Sequence, residues 1–301
     1  ILSGNSIDHA LLALAAMHVG VPVAPISAAY SLASHDHAKL RVLVADLAPG
    51  AVWAEGPAFG PALAALGVAA LELPRAAFTP PAAAVEARAS EATSAVDRAF
   101  ASVSPDTVAK ILFTSGSTGS PKGVVNTHRM LCANQAAIAA GWPFLAYRPP
   151  VIVDWLPWSH TFGANHNFNM ILAPGGTLYI DAGKPAPGAF DITLANLREV
   201  PSTLYFTVPR GLDMLVGALE SDAVLRETFF RDLDLVFYAA AALSPATWDR
   251  LATVARRAGA SPAMVSAWGS TETSPLVTQV HFTIDRAGVV GLPARGVELA
   301  F

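Results

Sequence analysis

The chain has 301 residues, a net charge of −4, 53% hydrophobic residues and only 14% charged ones, against about 25% charged in typical soluble domains. That composition excludes a disordered segment, and with no cluster of Lys and Arg it disfavours a nucleic-acid partner. The single cysteine, Cys132, excludes an internal disulfide and fits a reducing, cytoplasmic compartment. The best candidate for a membrane span, Ala10 to Ala24, is interrupted by His18, Gly20 and Pro22. It is shorter than the roughly 20 apolar residues a span needs. No basic leader with an apolar core opens the chain. Ile1 to Asn5 reads as the end of a strand entering a turn, and Val297 to Phe301 as an unfinished apolar run. The expectation is a piece of a longer protein.

In chain order, Ser6 or Asp8 caps a helix to His18 that Gly20 ends. Val21 to Ile26, with two prolines, reads as an edge strand. A helix over Ser34 to Val44, a strand over Ala51 to Ala54, a helix over Pro57 to Leu66 and a strand over Val68 to Leu73 follow. The segment from Pro74 to Ser104 is rich in Ala, Pro and Ser and reads as surface with one helix. Val108 to Phe113 is a strand, Thr114 to Gly123 a loop, Val124 to Asn126 a short strand, and Asn126 or Thr127 caps a helix to Ala140. Strands then fall near Val151 to Trp155, Gly176 to Ile180, Thr203 to Phe206, Leu235 to Tyr238 and Met264 to Ala267. Helices fit Ala189 to Arg198, Pro209 to Glu220 and Pro245 to Ala258. This alternation predicts an α/β fold of layered, mostly parallel sheets flanked by helices.

The strongest chemical signal is the loop Thr114-Ser115-Gly116-Ser117-Thr118-Gly119-Ser120-Pro121-Lys122-Gly123. Hydroxyls and backbone N–H groups converge on an anion in such a loop, glycine allows close approach, and Lys122 adds a point charge. A P-loop needs Gly-Lys-Ser/Thr, and Pro121 precedes Lys122 here. A hydrolase elbow needs Gly-x-Ser-x-Gly, which Ser117 lacks. The loop resembles the phosphate loop of the adenylate-forming superfamily, which includes acyl- and aryl-CoA synthetases, luciferases and peptide-synthetase adenylation domains.

Three further segments carry the resemblance in order. Leu156-Pro157-Trp158-Ser159-His160-Thr161-Phe162-Gly163 resembles the Leu-Pro-x-x-His-x-x-Gly segment of the CoA ligases. The family places this histidine beside the acyl site; the competing reading of a lone His is a hydrogen-bonded core residue. Amino-acid adenylation domains carry an aspartate near here for the substrate ammonium; its absence favours a simple carboxylic acid. Trp268-Gly269-Ser270-Thr271-Glu272 resembles the aromatic-Gly-x-Thr-Glu motif. The resemblance implies Trp268 and Gly269 near adenine, Thr271 on the α-phosphate and Glu272 on Mg²⁺, which favours few carboxylates plus phosphate oxygens. Tyr238 to Ser244 sits where the family borders adenine and acyl pocket, with Ala239 replacing the usual Gly and Ala242 a Pro or Gly. Gly291-Leu292-Pro293-Ala294-Arg295-Gly296 resembles a supporting turn.

Together these imply the incomplete large N-terminal domain of an adenylate-forming enzyme over 1–301, with approximate subdomains 1–105 and 106–301 and no C-terminal domain. In the family the ribose-binding Asp, the hinge and a catalytic Lys come later. The implied substrates are ATP, CoA and a carboxylic acid, with Mg²⁺ as cofactor. The implied catalytic set is Lys122, His160, Thr271 and Glu272. ATP would meet Thr114 to Gly119, Lys122, Ala240, Trp268, Gly269 and Thr271; the acid would meet His160, Phe162, Ala239 and Ala241. The runs Trp158 to Phe168 and Pro174 to Pro185 resemble the feruloyl-CoA synthases, which act on hydroxycinnamic acids. The alternatives are a medium- or long-chain fatty acyl-CoA ligase and a non-catalytic nucleotide-binding homologue. His35-Asp36-His37 reads as a helix-start surface, and His128 with Cys132 as an incidental pair.

Overall fold

The computed structural model describes residues 1–71, 93–114 and 121–300. The loop residues Ser115, Gly116, Ser117, Thr118 and Gly119, and most of the segment from Pro74, lie outside the described residues. The chain divides into two compact units, Ile1–Arg129 and Met130–Phe301. Among the described residues no helix is long and apolar enough to cross a membrane.

In the first unit α1 (Ile7–His18) begins where the Ser6 side chain accepts from the His9 N–H, and the chain turns at Gly20 with φ +76°. Helices α2 (Ala38–Leu47), α3 (Gly60–Leu66) and α4 (Ser94–Ala101) follow. The expected strands at Val21 to Ile26 and Ala51 to Ala54 are not strands. They appear as isolated parallel bridges linking Leu2 to Ile26 and Ala54, Val23 to Lys110, and Val52 to Ala70. Pro22 and Pro25 supply no N–H, so the first of these cannot continue a ladder. His37 is a second correction: it is buried, with φ +51°, rather than on a helix-start surface. The antiparallel hairpin β1 (Val108–Thr114) and β2 (Lys122–Thr127) closes the unit, with Thr114 opposite Lys122. Its core is Leu2, Ile26, Leu40, Leu43, Val52, Phe59 and Ala62.

The second unit carries most of α5 (His128–Gly141), then β3 (Val151–Asp154), β4 (Thr177–Ile180), α6 (Phe190–Glu199), β5 (Leu204–Thr207), α7 (Pro209–Ser221), α8 (Ala223–Arg231), β6 (Leu235–Tyr238), α9 (Pro245–Arg257), β7 (Ala263–Gly269), β8 (Leu276–Gln279) and β9 (Leu292–Pro293). Strands β3 and β4 pair in parallel, as do β5, β6 and β7. Beyond β7 the sheet turns antiparallel through β8 and β9. Alternate residues face opposite layers. Leu204, Phe206, Leu235 and Phe237 pack with Ile138, Trp142 and Ile152, while Tyr205, Val236 and Tyr238 pack with Leu212, Leu215, Phe229 and Leu251. Both faces are covered, so these strands read as unbroken apolar runs. Each fully buried aromatic or aliphatic side chain contributes about 1.5–3 kcal/mol.

Candidate active site

Strands β5, β6 and β7 run parallel, and the segments leaving the C-terminal ends of β6 and β7 meet the segment that follows β3 in the second unit. A cavity of about 410 Å³ opens there, where ligands commonly bind in such sheets. It is lined by His160, Phe162, Ala239, Ala240, Ala241, Trp268 and Gly269, among others. Seven of the residues singled out from three separate motifs thus share one cavity.

The segment after β3 is shaped by two features. The Leu156 N–H donates to the Asp154 carboxylate (3.1 Å), and the backbone packs so closely that a Cβ on Gly163 would lie 2.4 Å from the Leu156 carbonyl oxygen. Only glycine fits there. The Phe162 N–H donates to His160 Nδ1 (3.3 Å), which leaves the His160 proton on Nε2. His160 is open to solvent on one side, yet the cavity wall removes enough water to lower its pKa. Phe162–Phe168 then forms a buried π-helical turn, a form often found at functional sites. Its Asn165 carbonyl accepts from Gln135 Nε2 (2.7 Å).

The Ala239–Ala242 wall follows β6. Ala240 adopts φ +73°, a left-handed conformation that costs an alanine about 1–2 kcal/mol. The strain sits on a cavity-lining residue, beside the position where the resemblance expects glycine.

Thr271 and Glu272 lie on a 3₁₀ turn, Thr271–Thr273, between β7 and β8. They do not line the cavity; they follow directly from Trp268 and Gly269, which do. The Ser270 N–H donates to Pro275 O (3.1 Å) and to Thr273 Oγ1 (2.9 Å), and Thr273 Oγ1 donates to Pro275 O (2.6 Å). Behind the turn, Asn134 Oδ1 accepts from the Leu276 N–H (3.0 Å) and Trp142 Nε1 donates to Val280 O (3.2 Å). Thr271 is buried, whereas Glu272 is exposed and makes no hydrogen bond or ion pair among the described residues. An oxygen donor so presented fits a hard cation shared with phosphate. Thr114 and Lys122 face each other at the mouth of the hairpin in the first unit, with Lys122 exposed.

Sequence reading missed one cluster. Asn167 Nδ2 donates to Asp154 Oδ2 (3.0 Å), and His166 Nδ1 donates to Asn167 Oδ1 (2.9 Å). All three side chains are buried. The signal was present as three consecutive polar residues, Asn165 to Asn167, between apolar neighbours. Burial raises the Asp154 carboxyl to about 7 and lowers His166 to about 4. The two have opposite signs. Asp154 titrates higher folded than unfolded, so its contribution to stability is full below about pH 4 and is lost as pH rises to 7. His166 titrates lower folded, so its contribution is full above about pH 6.5 and is lost as pH falls to 4. His166→Phe removes only the second. Relative to the wild type, this variant should gain about 3 kcal/mol as pH falls from 6.5 to 4. Denaturant unfolding at pH 4.5 and 7.5 checks it, and an unchanged pH dependence would sink the assignment.

Residues 1–300 match the family described as AMP-binding enzyme. The long-chain-fatty-acid–CoA ligase of Escherichia coli O6:H1 is 27% identical over 197 residues, 64% of this chain and 33% of that protein. The carboxylic acid reductase of Mycobacterium marinum is 33% identical over 120 residues, 40% of this chain and 10% of that protein. The chain thus matches about one third of the length of the first of these relatives. Among solved structures, a malonyl-CoA ligase with methylmalonyl-CoA and AMP bound superposes with a TM-score of 0.71 at 25% identity, covering 97% of this chain and 56% of that one. A benzoate CoA ligase from Burkholderia xenovorans LB400 shares the fold, with a TM-score of 0.70 at 18% identity over 98% of this chain and 55% of that one.

Proposed function

The chain belongs to the AMP-binding enzyme family, and from that premise we propose that it forms the ATP- and acid-binding part of an acid:CoA ligase whose preferred acid is a hydroxycinnamate such as ferulate. A carboxylate oxygen attacks the α-phosphorus of ATP, forming the acyl-AMP bond as pyrophosphate leaves. The CoA thiol then attacks the acyl carbon, a proton is lost, and AMP leaves.

The cavity carries this reading. Its walls bring His160 and Phe162 together with Ala239, Ala241 and Trp268 at the strand ends, so one opening suits an aryl group against apolar walls and a carboxylate toward the 270–275 turn. Thr271 would meet the α-phosphate, and Lys122 and the loop hydroxyls the outer phosphates. Glu272 would hold Mg²⁺, which supplies neutralisation of phosphate charge. Positioning and charge then dominate the first half-reaction. We divide the chain into approximate subdomains 1–105 and 106–301, with the phosphate loop and the acid site both in the second, and place the protein in the cytoplasm.

A medium- or long-chain fatty acid is the second reading, favoured by the names of the curated relatives. Pyrophosphate release by the full-length protein, with ferulate against octanoate, separates the two. Ferulate should be preferred by at least about tenfold in kcat/KM, the scale a shaped apolar pocket achieves. A preference for octanoate would move the acid to the alkyl class, and no release with any acid would favour a nucleotide-binding homologue without catalysis.

A further inference from the structure

His166 forms part of the cavity wall, yet nothing in the mechanism above uses it. Its ring packs against Phe162 (5.8 Å between centroids) and Phe237 (5.1 Å), which line the same cavity, and against Phe206 (5.7 Å) and Trp142 (6.2 Å) behind them. Four aromatic rings therefore surround one polar one. A histidine in such surroundings is costly unless both ring nitrogens find partners.

One nitrogen is satisfied. At pH 8, above the value of about 7 to which burial raises it, the Asp154 carboxyl is mostly ionised and only accepts; it already takes the Leu156 N–H, so the Asn167 amide turns its NH₂ toward Asp154. That places the amide oxygen on His166, and an amide oxygen only accepts. The proton of the neutral imidazole is thereby held on Nδ1. Nε2 is left with a lone pair, buried, and without a hydrogen-bond partner among the described residues. An unmet acceptor in an apolar wall discriminates strongly between ligands, because a ligand that offers a donor gains a hydrogen bond while one that does not leaves the acceptor desolvated.

We propose that His166 Nε2 accepts a hydrogen bond from a hydroxyl on the acyl group, and so selects acids that carry a donor at the end remote from the carboxylate. Asp154 and Asn167 are positioning residues that hold the tautomer. Nε2 is buried, so a hydroxyl must reach it past Phe162 and Phe237, the cavity-lining rings packed on the imidazole. This rests on the acid-activating reading above, and for a hydroxycinnamate the donor is the phenol.

The test uses the full-length protein at pH 8 and two matched pairs of acids: 4-hydroxycinnamate with cinnamate, and 8-hydroxyoctanoate with octanoate. The readout is the ratio of kcat/KM within a pair. Wild type should favour the hydroxylated member of the accepted pair by about tenfold or more. His166→Phe should bring that ratio to within about twofold. His166→Gln, which restores an acceptor, should recover part of it. His166→Met replaces the phenylalanine variant if the latter gives no cooperative melt. A ratio near one in wild type, or one that survives removal of the imidazole, overturns the proposal. Which pair is turned over reports separately on the aryl reading, so a hydroxyl preference seen only on the alkyl pair would retain His166 and reject hydroxycinnamate.

Discussion

Glu272→Ala and Lys122→Ala are each expected to lower acid-dependent pyrophosphate release by about 10²–10³-fold, the scale on which a preorganised charge at a transition state is lost. Neither should measurably destabilise the fold. Glu272 is exposed on the turn after β7, with no ion pair among the described residues, and Lys122 is exposed at the start of β2. Surface substitutions free of such partners usually stay within about 0.5 kcal/mol. The two variants should differ in kind. If Glu272 holds Mg²⁺ as proposed, its removal should make activity respond to raised Mg²⁺; if Lys122 meets the outer phosphates as proposed, its removal should raise the KM for ATP with little response to the metal. Unimpaired release in either variant, with acid and ATP saturating, would remove that residue from the catalytic set.

The legible parts of the fold are those where local pattern and burial agree. The strand expected over Leu235 to Tyr238 is β6, on those same residues; β5 is displaced by one residue, to Leu204–Thr207. Both are buried on two faces, and a four-residue apolar run between helices has few other places to go. Helix α9 is legible from its ends, where Ser244 accepts from the Thr247 N–H and Pro245 occupies the first turn. Strands β8 and β9 escape sequence reading because Leu276–Gln279 and Leu292–Pro293 are short and acquire their character only by antiparallel pairing with β7 and with each other. Helix α8 escapes it because Ala223–Arg231 follows α7 after a single residue, Asp222, whose carboxylate serves as its cap.

The site divides the same way. Spacing exposes the motifs, since a glycine before an acid-bearing turn or a histidine in a Leu-Pro-x-x-His frame is visible along the chain. The buried polar relay is not visible. Asn ordinarily faces solvent and His is intermediate, and the π-helical turn Phe162–Phe168 buries Asn165, His166 and Asn167 together. Ala240 is similar: nothing in a run of four alanines marks the one with positive φ.

Gly269→Ala should be the most damaging single-methyl change in the second unit. A Cβ at this position would lie 1.7 Å from the Pro275 carbonyl oxygen and 2.7 Å from its carbon. Both are backbone atoms, so no side chain can rotate away. The contact lies where β7 and β8 shift register, between the Trp268–Thr278 and Gly269–Leu276 pairs. That same carbonyl accepts from the Ser270 N–H and from Thr273 Oγ1. Relief therefore requires the strands to part or the turn to swing out, and either route breaks the bonds that hold Thr271 and Glu272. The expected cost is about 3–5 kcal/mol, with acid-dependent pyrophosphate release down by more than about 100-fold because the groups meant for the α-phosphate and metal are misplaced. Gly217→Ala is the matched control. It lies within α7, and a methyl added there would meet nothing within 4 Å, so the same substitution should stabilise by about 0.5–1 kcal/mol through helix propensity. Thermal melts of the two variants should move in opposite directions. If Gly269→Ala melts with the wild type and keeps its activity, β7 and β8 do not approach as closely as this geometry requires.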